Sequence, residues 1–192
     1  FTDLMRLNIK AFEQGDFDYL ITPCATCTSV IKKTWGQMID KEDAELVEKV
    51  TALASKTLDI SEFLVDKVGI AIPEKIGDKK TVTYHDPCHL DKSLGITSQP
   101  RQLIQASAAE LIEMNEADHC CGCGGSFNLY HYDLSKKIGQ RKGENIRSSG
   151  AQIAATSCPA CMMQINDILS QSGGGTDVRH VIEIYADAIE NE

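Results

Sequence analysis

Eight cysteines occur in a chain of 192 residues, and five of them form one ordered pattern. Cys88 stands first, the adjacent pair Cys120–Cys121 follows, and Cys158 and Cys161 close it as a Cys-x-x-Cys. Between Cys88 and Cys120 lie 31 residues, and between Cys121 and Cys158 lie 36. Thiolate sulfur is a soft ligand suited to zinc, copper(I) and iron–sulfur clusters. A structural zinc site takes four ligands, commonly from two tight pairs. Only one tight pair lies in this pattern, and two directly adjacent cysteines are awkward on a single tetrahedral ion. They suit a larger inorganic core, where neighbouring ligands attach to different irons. Gly122, Gly124 and Gly125 would let backbone approach such a core and offer amides to its sulfides. The residues favour an iron–sulfur cluster, with zinc as the competing occupant.

Other uses of the cysteines explain less. A disulfide framework belongs to small secreted domains, whereas this chain shows no secretory signal and is long enough to bury a core. Inert buried thiols are common but do not arrive in this pattern. A c-type haem needs Cys-x-x-Cys-His, yet Thr28 follows Cys27 and Met162 follows Cys161. A thioredoxin-like dithiol accounts for Cys158-Pro159-Ala160-Cys161 and leaves Cys88 and Cys120–Cys121 unexplained. The net charge is −9, from 19 basic and 28 acidic residues, and the basic residues form no stripe. That argues against a nucleic-acid partner. No apolar run approaches the roughly 18 residues a spanning helix needs. A cytoplasmic location follows, with peripheral attachment to the inner face of the membrane as an option.

Thiols so distant in sequence share a site only if the fold gathers them. The chain alternates strand and helix patterns. Strands are expected at Asp18–Thr22, Thr81–His85, Glu110–Met114 and Gln152–Thr156. Helices are expected over Ser29–Gln37, Lys41–Lys56, Ile60–Val68, Gln99–Ala109, Phe127–Ser148, Pro159–Ser170 and Val181–Ile189. A turn covers Pro73 to Asp78, Gly150 stops the long helix, and Gly173–Gly175 is a flexible break. The fold class is α/β, a parallel sheet flanked by helices in a Rossmann-like arrangement. Cys24, Cys88, Cys120 and Cys158 each follow a strand within a few residues. Ligands bind outside the carboxyl ends of parallel strands, so Cys88, Cys120, Cys121, Cys158 and Cys161 are expected on one rim, near helix N-termini that stabilise thiolates.

An internal echo accompanies the pattern. Residues 19–31 read YLITPCATCTSVI and residues 153–165 read IAATSCPACMMQI, with both cysteines of the pair offset by 134. This suggests a duplicated unit. On that basis residues 1–72 hold the C-terminal part of a first unit plus connecting helices, and 73–192 hold a complete second unit. A chain that opens at Phe1 inside a helical pattern then reads as a fragment or processed subunit.

The stretches TYHDPCHLDKSLGI (83–96), HCCGCGGSFNLYHYDLSKKIGQRKGENI (119–146) and TSCPACMMQI (156–165) carry a resemblance. They resemble the cysteine-rich CCG family, which includes the B subunit of heterodisulfide reductase, the glycolate oxidase iron–sulfur subunit and lactate-utilisation iron–sulfur proteins. The resemblance implies that Cys88, Cys120, Cys121, Cys158 and Cys161 ligate a [4Fe–4S]-type cluster, noncubane in the heterodisulfide reductases. It makes Cys24 and Cys27 the remnants of a second site, free of metal or holding zinc. An isolated fragment could lack the cluster. The implied role is an electron-transfer subunit of a glycolate- or lactate-type 2-hydroxyacid oxidoreductase complex, beside a flavoprotein dehydrogenase subunit and other iron–sulfur subunits. The alternatives are heterodisulfide-reductase-like disulfide reduction at a noncubane cluster, and a zinc-bound structural or redox-switch module. No bond-breaking residue is assigned, so whether the chain itself is catalytic stays open.

Neighbouring residues carry two readings each. His85, His89 and His119 flank cysteines and could donate to cluster sulfur or move a proton, with a structural role in the turn as the plainer reading. Asp86 before Pro87 reads as a turn former, and Cys123 as a small residue beside the cluster or a further ligand. Tyr130, His131 and Tyr132 are expected to pack near the site, and Trp35 in the core or an interface. Lys136–Lys137 and Arg141–Lys142 are expected on a solvated helix face or a docking surface for an acidic electron donor.

Overall fold

The structure is a computed structural model that describes residues 1–71 and 80–190. The turn expected over Pro73 to Asp78 and the unit boundary at residues 72 and 73 lie outside the described residues. The elements in chain order are α1 (Thr2–Phe12), β1 (Leu20–Thr22), α2 (Ala25–Ser29), α3 (Trp35–Met38), α4 (Ala44–Lys56), β2 (Thr57–Asp59) and α5 (Ile60–Glu62). After them come β3 (Thr81–His85), α6 (Ser98–Ala106), β4 (Glu110–Leu111), α7 (Ser126–Tyr130), α8 (Tyr132–Ser149), β5 (Ile153–Thr156), α9 (Pro159–Ser170), β6 (Asp177–His180) and α10 (Val181–Glu190). Wide π-helical turns join α2 to α3 over Val30–Thr34, extend α5 over Phe63–Val68, and follow Cys88 over His89–Leu94.

All observed strand pairs are parallel. One sheet has the order β4-β3-β5-β6 and a second pairs β1 with β2. Helices cover the larger sheet on both faces, as the α/β expectation required. Strand β5 shows why: all four of its residues are buried. Alternate side chains of a strand point to opposite faces. Ile153 and Ala155 accordingly enter a core with Val82, Tyr84, Leu103, Ile104 and Val181, while Ala154 enters one with Leu90, Ile146, Ile165 and Leu169. Helices α1, α3 and α4 close a third core around Met5, Ile9, Trp35, Leu46, Val50 and Leu53. Trp35 is thus a core residue.

Local chemistry sets the boundaries. The Asp43 carboxylate accepts from Leu46 N at 3.1 Å and caps α4. Pro159 opens α9, where a missing N–H costs nothing. Gly150 ends α8 in the left-handed region at φ +70°. Gly139 and Gly143 let α8 lie close on α9: a Cβ would stand 2.7 Å and 2.9 Å from Ile168 side-chain atoms.

Two strands exceed the expectation. Strand β2 is three residues wedged between helical patterns, and β6 (DVRH) is an edge strand with one aliphatic residue. Neither carries the alternation that marks a strand. Strand β4 pairs only over Glu110–Leu111, because the chain then leaves the sheet and buries Met114 in the core behind the cysteines. The echo extends to structure. Cys24 caps α2 at φ −146°, ψ 108°, and Cys158 caps α9 at φ −143°, ψ 115°. Each preceding strand pairs in parallel with the next strand along the chain, across α2, α3 and α4 in the first case and α9 alone in the second: Thr22 is opposite Asp59, and Thr156 opposite His180.

Candidate metal centre

Three chain segments meet above the carboxyl ends of β3 and β5. The turn after β3 supplies Cys88, the loop before α7 supplies Cys120 and Cys121, and the first turn of α9 supplies Cys158 and Cys161. All five line one cavity of ≈ 240 Å³, together with Thr26, His85, His89 and Cys123. Cys121, Cys158 and Cys161 form its buried floor, while Cys88 and Cys120 are exposed at its mouth. Gly122 N donates to Cys120 Sγ at 3.3 Å.

The sulfurs form a run in the order Cys120, Cys121, Cys161, Cys158, Cys24. Thiol hydrogen bonds from Cys120 and Cys161 hold Cys121 far below the ordinary thiol range. Those from Cys161 and Cys24 do the same for Cys158. The donors shift the other way, since each faces a thiolate: Cys161, Cys120 and Cys24 are all pushed up. Burial raises Cys88 and Cys123. Thiols packed this closely share hydrogen bonds and lose their protons when a cation arrives.

The two cysteines expected in a separate site, Cys24 and Cys27, stay in hydrogen-bond contact with each other, while Cys24 also reaches a sulfur of the cavity floor. Cys24 stands against Cys158, Thr26 Oγ1 lies 3.5 Å from Cys158 Sγ, and Ala25 N donates to Ser157 O at 3.0 Å. Cys27 is exposed and does not line the cavity.

Supporting residues fix the two loops. The Ala117 carbonyl accepts from Asp86 N at 3.0 Å and lies 3.2 Å from both His85 Nδ1 and Lys142 Nζ. Lys142 also donates to Glu116 O at 2.5 Å and is only 2% exposed. That corrects the solvated face expected for Lys142: its ammonium ties down the loop that enters Cys120. The neighbouring Arg141 does face solvent and pairs with Glu116. Asp86 is a structural group, gripped by Arg101 at 2.7 Å and 2.8 Å. Tyr84 OH meets Ser157 Oγ at 2.9 Å and joins the turns after β3 and β5. Tyr130 and Tyr132 do not pack as expected: they are 80% and 41% exposed, Tyr130 at the end of α7 and Tyr132 where α8 restarts after the break at His131. Nothing in the sequence marked Arg101 or the inward turn of Lys142, because charged pairs on an amphipathic helix read as its wet side.

Five soft sulfur donors lining one cleft, two of them adjacent in the chain, fit an iron–sulfur core. Gly122 adopts φ +95°, and a Cβ there would stand 2.5 Å from Ser135 O, whose own hydroxyl donates to Gly122 O at 2.7 Å. The loop is therefore glycine-dependent where it delivers two ligands side by side. Gly122→Ala is expected to cost about 2–3 kcal/mol, combining left-handed strain with overpacking. Chemical denaturation of the reduced protein measures it, and a loss within experimental scatter would show that the loop relaxes freely.

Comparison with known proteins agrees with this geometry. The family model described as a cysteine-rich domain, CCG, matches residues 1–32 and 82–166. The chain is 32% identical to the B subunit of the fumarate reductase (CoM/CoB) of Methanothermobacter marburgensis, over 95% of this chain and 34% of that one. It is 31% identical to the "Probable glycolate oxidase iron-sulfur subunit" of Bacillus subtilis, over 97% of this chain and 42% of that one. It is 30% identical to Lactate utilization protein A 2 of Bacillus cereus, over 93% of this chain and 72% of that one. The chain thus spans about a third of the first relative, under half of the second and nearly three quarters of the third. With the five cysteines gathered as the motif demands and more than half of the chain matched by its model, the chain belongs to the cysteine-rich CCG domain family.

Proposed function

We propose that the chain is the cluster-bearing electron-transfer part of a 2-hydroxyacid oxidoreductase complex of the glycolate or lactate type. Cys88, Cys120, Cys121, Cys158 and Cys161 hold a [4Fe–4S]-type cluster, cubane or noncubane, and the cluster supplies one-electron redox chemistry when bound. One observation carries this reading: the five cysteines converge on a single cleft with two ligands exposed at its mouth. The residues bind the core, exclude water from its buried side and leave the mouth open to a redox partner. The partners are a flavoprotein dehydrogenase subunit and further iron–sulfur subunits. The setting is cytoplasmic, with peripheral attachment to the membrane as the alternative. Among the described residues no helix is long and apolar enough to cross a membrane. The two Cys-x-x-Cys segments belong to copies of one unit, residues 1–72 holding the C-terminal part of the first and 73–192 the second, and Cys24–Cys27 is the first copy's ligand pair, open to zinc.

Anaerobic reconstitution with iron and sulfide tests the reading. Brown protein with iron and acid-labile sulfide, reduced when a flavin-dependent 2-hydroxyacid dehydrogenase receives glycolate or lactate, is the expected result. A colourless protein that takes up only zinc would sink it.

A second reading rests on the open mouth, where Cys88, Cys120 and His89 face solvent-accessible space. A substrate disulfide there would take two electrons from the flavoprotein partner and two protons, His89 being placed to pass one, and leave as two thiols. Disulfide-dependent reoxidation of the reduced protein separates this from a pure relay.

A further inference from the structure

His85 lies in the cavity floor with no part in the relay. It is 1% exposed. Its Nδ1 is 3.2 Å from the Ala117 carbonyl, which can only accept. Nδ1 therefore carries the hydrogen, and Nε2 of the neutral ring keeps a lone pair. Asp86 N and Lys142 Nζ donate to the same carbonyl, so the anchor that sets the ring's tilt is itself held in place. Nε2 is buried with no nitrogen or oxygen partner among the described residues, and the polar group it meets is the Cys121 sulfur. Buried polar atoms are seldom left so.

The partner that suits this nitrogen is a cation. One ring nitrogen of His85, Cys121 Sγ and Cys161 Sγ all lie within 4.8 Å of one another, and all three residues are buried. A metal-ligating histidine characteristically donates its other N–H to a carbonyl or carboxylate, which is the arrangement at Ala117. Two thiolates and an imidazole suit zinc-class ions rather than the oxygen-seeking calcium or magnesium. To reach the roughly 3.5–3.8 Å separations of ligands on tetrahedral zinc, the trio needs to close by at most about 1 Å.

We propose that His85, Cys121 and Cys161 form a mononuclear site for one zinc-class divalent cation, with the fourth position facing the cavity. The site goes beyond the iron–sulfur reading and does not depend on it. Both occupants use Cys121 and Cys161, so each excludes the other, and a chain loaded first with zinc refuses the cluster.

The test uses the reduced, cluster-free chain and cobalt(II) as the probe, displaced afterwards by zinc. One cobalt per chain is expected, with tetrahedral d–d bands and thiolate charge-transfer absorption. His85→Gln should weaken binding by roughly 100-fold or more, beyond the loss typical of outer-shell changes, and shift the bands. His131→Gln, at an exposed ring outside the cavity, should leave both unchanged. X-ray absorption at the zinc edge of the unmutated protein should show imidazole scattering beside two sulfurs, whether or not the variant folds well. An all-sulfur shell, unchanged binding in His85→Gln, or loss of the site in His131→Gln would each overturn the proposal. Iron and sulfide uptake is measured separately, so failure of the cluster reading and failure of this one are distinguishable.

Discussion

Replacing Arg101 by methionine is expected to destabilise the folded protein by about 3–5 kcal/mol, far more than a surface ion pair would. The reason is what it leaves behind. Asp86 is 5% exposed and its carboxylate is gripped by both terminal guanidinium nitrogens, at 2.7 Å and 2.8 Å. Arg101 also donates to Thr97 O at 2.8 Å and to Glu113 at 2.5 Å, and lies over the Tyr84 ring at 5.2 Å. Methionine keeps most of the packing but strands a buried carboxylate. The double variant Arg101→Met with Asp86→Asn should recover part of the loss, because the uncompensated charge is then gone. Chemical denaturation of the reduced protein checks both. A loss under about 1 kcal/mol for the single variant would mean the pair behaves as a solvated one. The consequence reaches the metal centre, since Asp86 stands between His85 and Cys88 and its amide binds the Ala117 carbonyl.

That pair also marks where the sequence stops being informative. The strands that deliver ligands were legible: TVTYH and QIAAT are β-forming runs that stop at proline-flanked cysteines, and the fold places a cysteine after each. Convergence of the five thiols was legible for the same reason, since parallel strands present their carboxyl ends on one side. Arg101 was invisible because its meaning lies in a partner 15 residues away across a helix–turn contact. Lys142 was misread because a charged residue on an amphipathic helix ordinarily faces water. Its buried ammonium is explained only by two loop carbonyls that no local pattern reveals. Strands β2 and β6 lacked period-two signals, so the pairing that repeats around both Cys-x-x-Cys motifs was missed although the motif echo was not. The place of Cys24 was hidden for a related reason. Sequence offset shows that two segments are alike, but not that Ala25 bonds to Ser157 and brings Cys24 against Cys158.

Cys121→Ser is expected to abolish cluster retention, lowering iron and acid-labile sulfide after anaerobic reconstitution by at least roughly tenfold. Cys121 is the most central sulfur of the run. It accepts from both Cys120 and Cys161, which hold its thiol below the ordinary range, and is 2% exposed. A serine hydroxyl at this position is a hard, weakly acidic donor and does not replace a soft thiolate on iron. The side chains are close in size, so circular dichroism should show the fold intact and the effect confined to the centre. Cys27→Ser is the matched control: Cys27 is exposed, lies outside the cavity lining and should leave iron content unchanged. Cys24→Ser tests the contact between the two Cys-x-x-Cys helices. Its thiol supports the Cys158 thiolate, so partial loss of iron is the expected outcome. Full iron content in Cys121→Ser would remove the central ligand from the centre and with it the five-cysteine assignment. Equal losses in Cys121→Ser and Cys27→Ser would instead point to a cluster held outside the cavity.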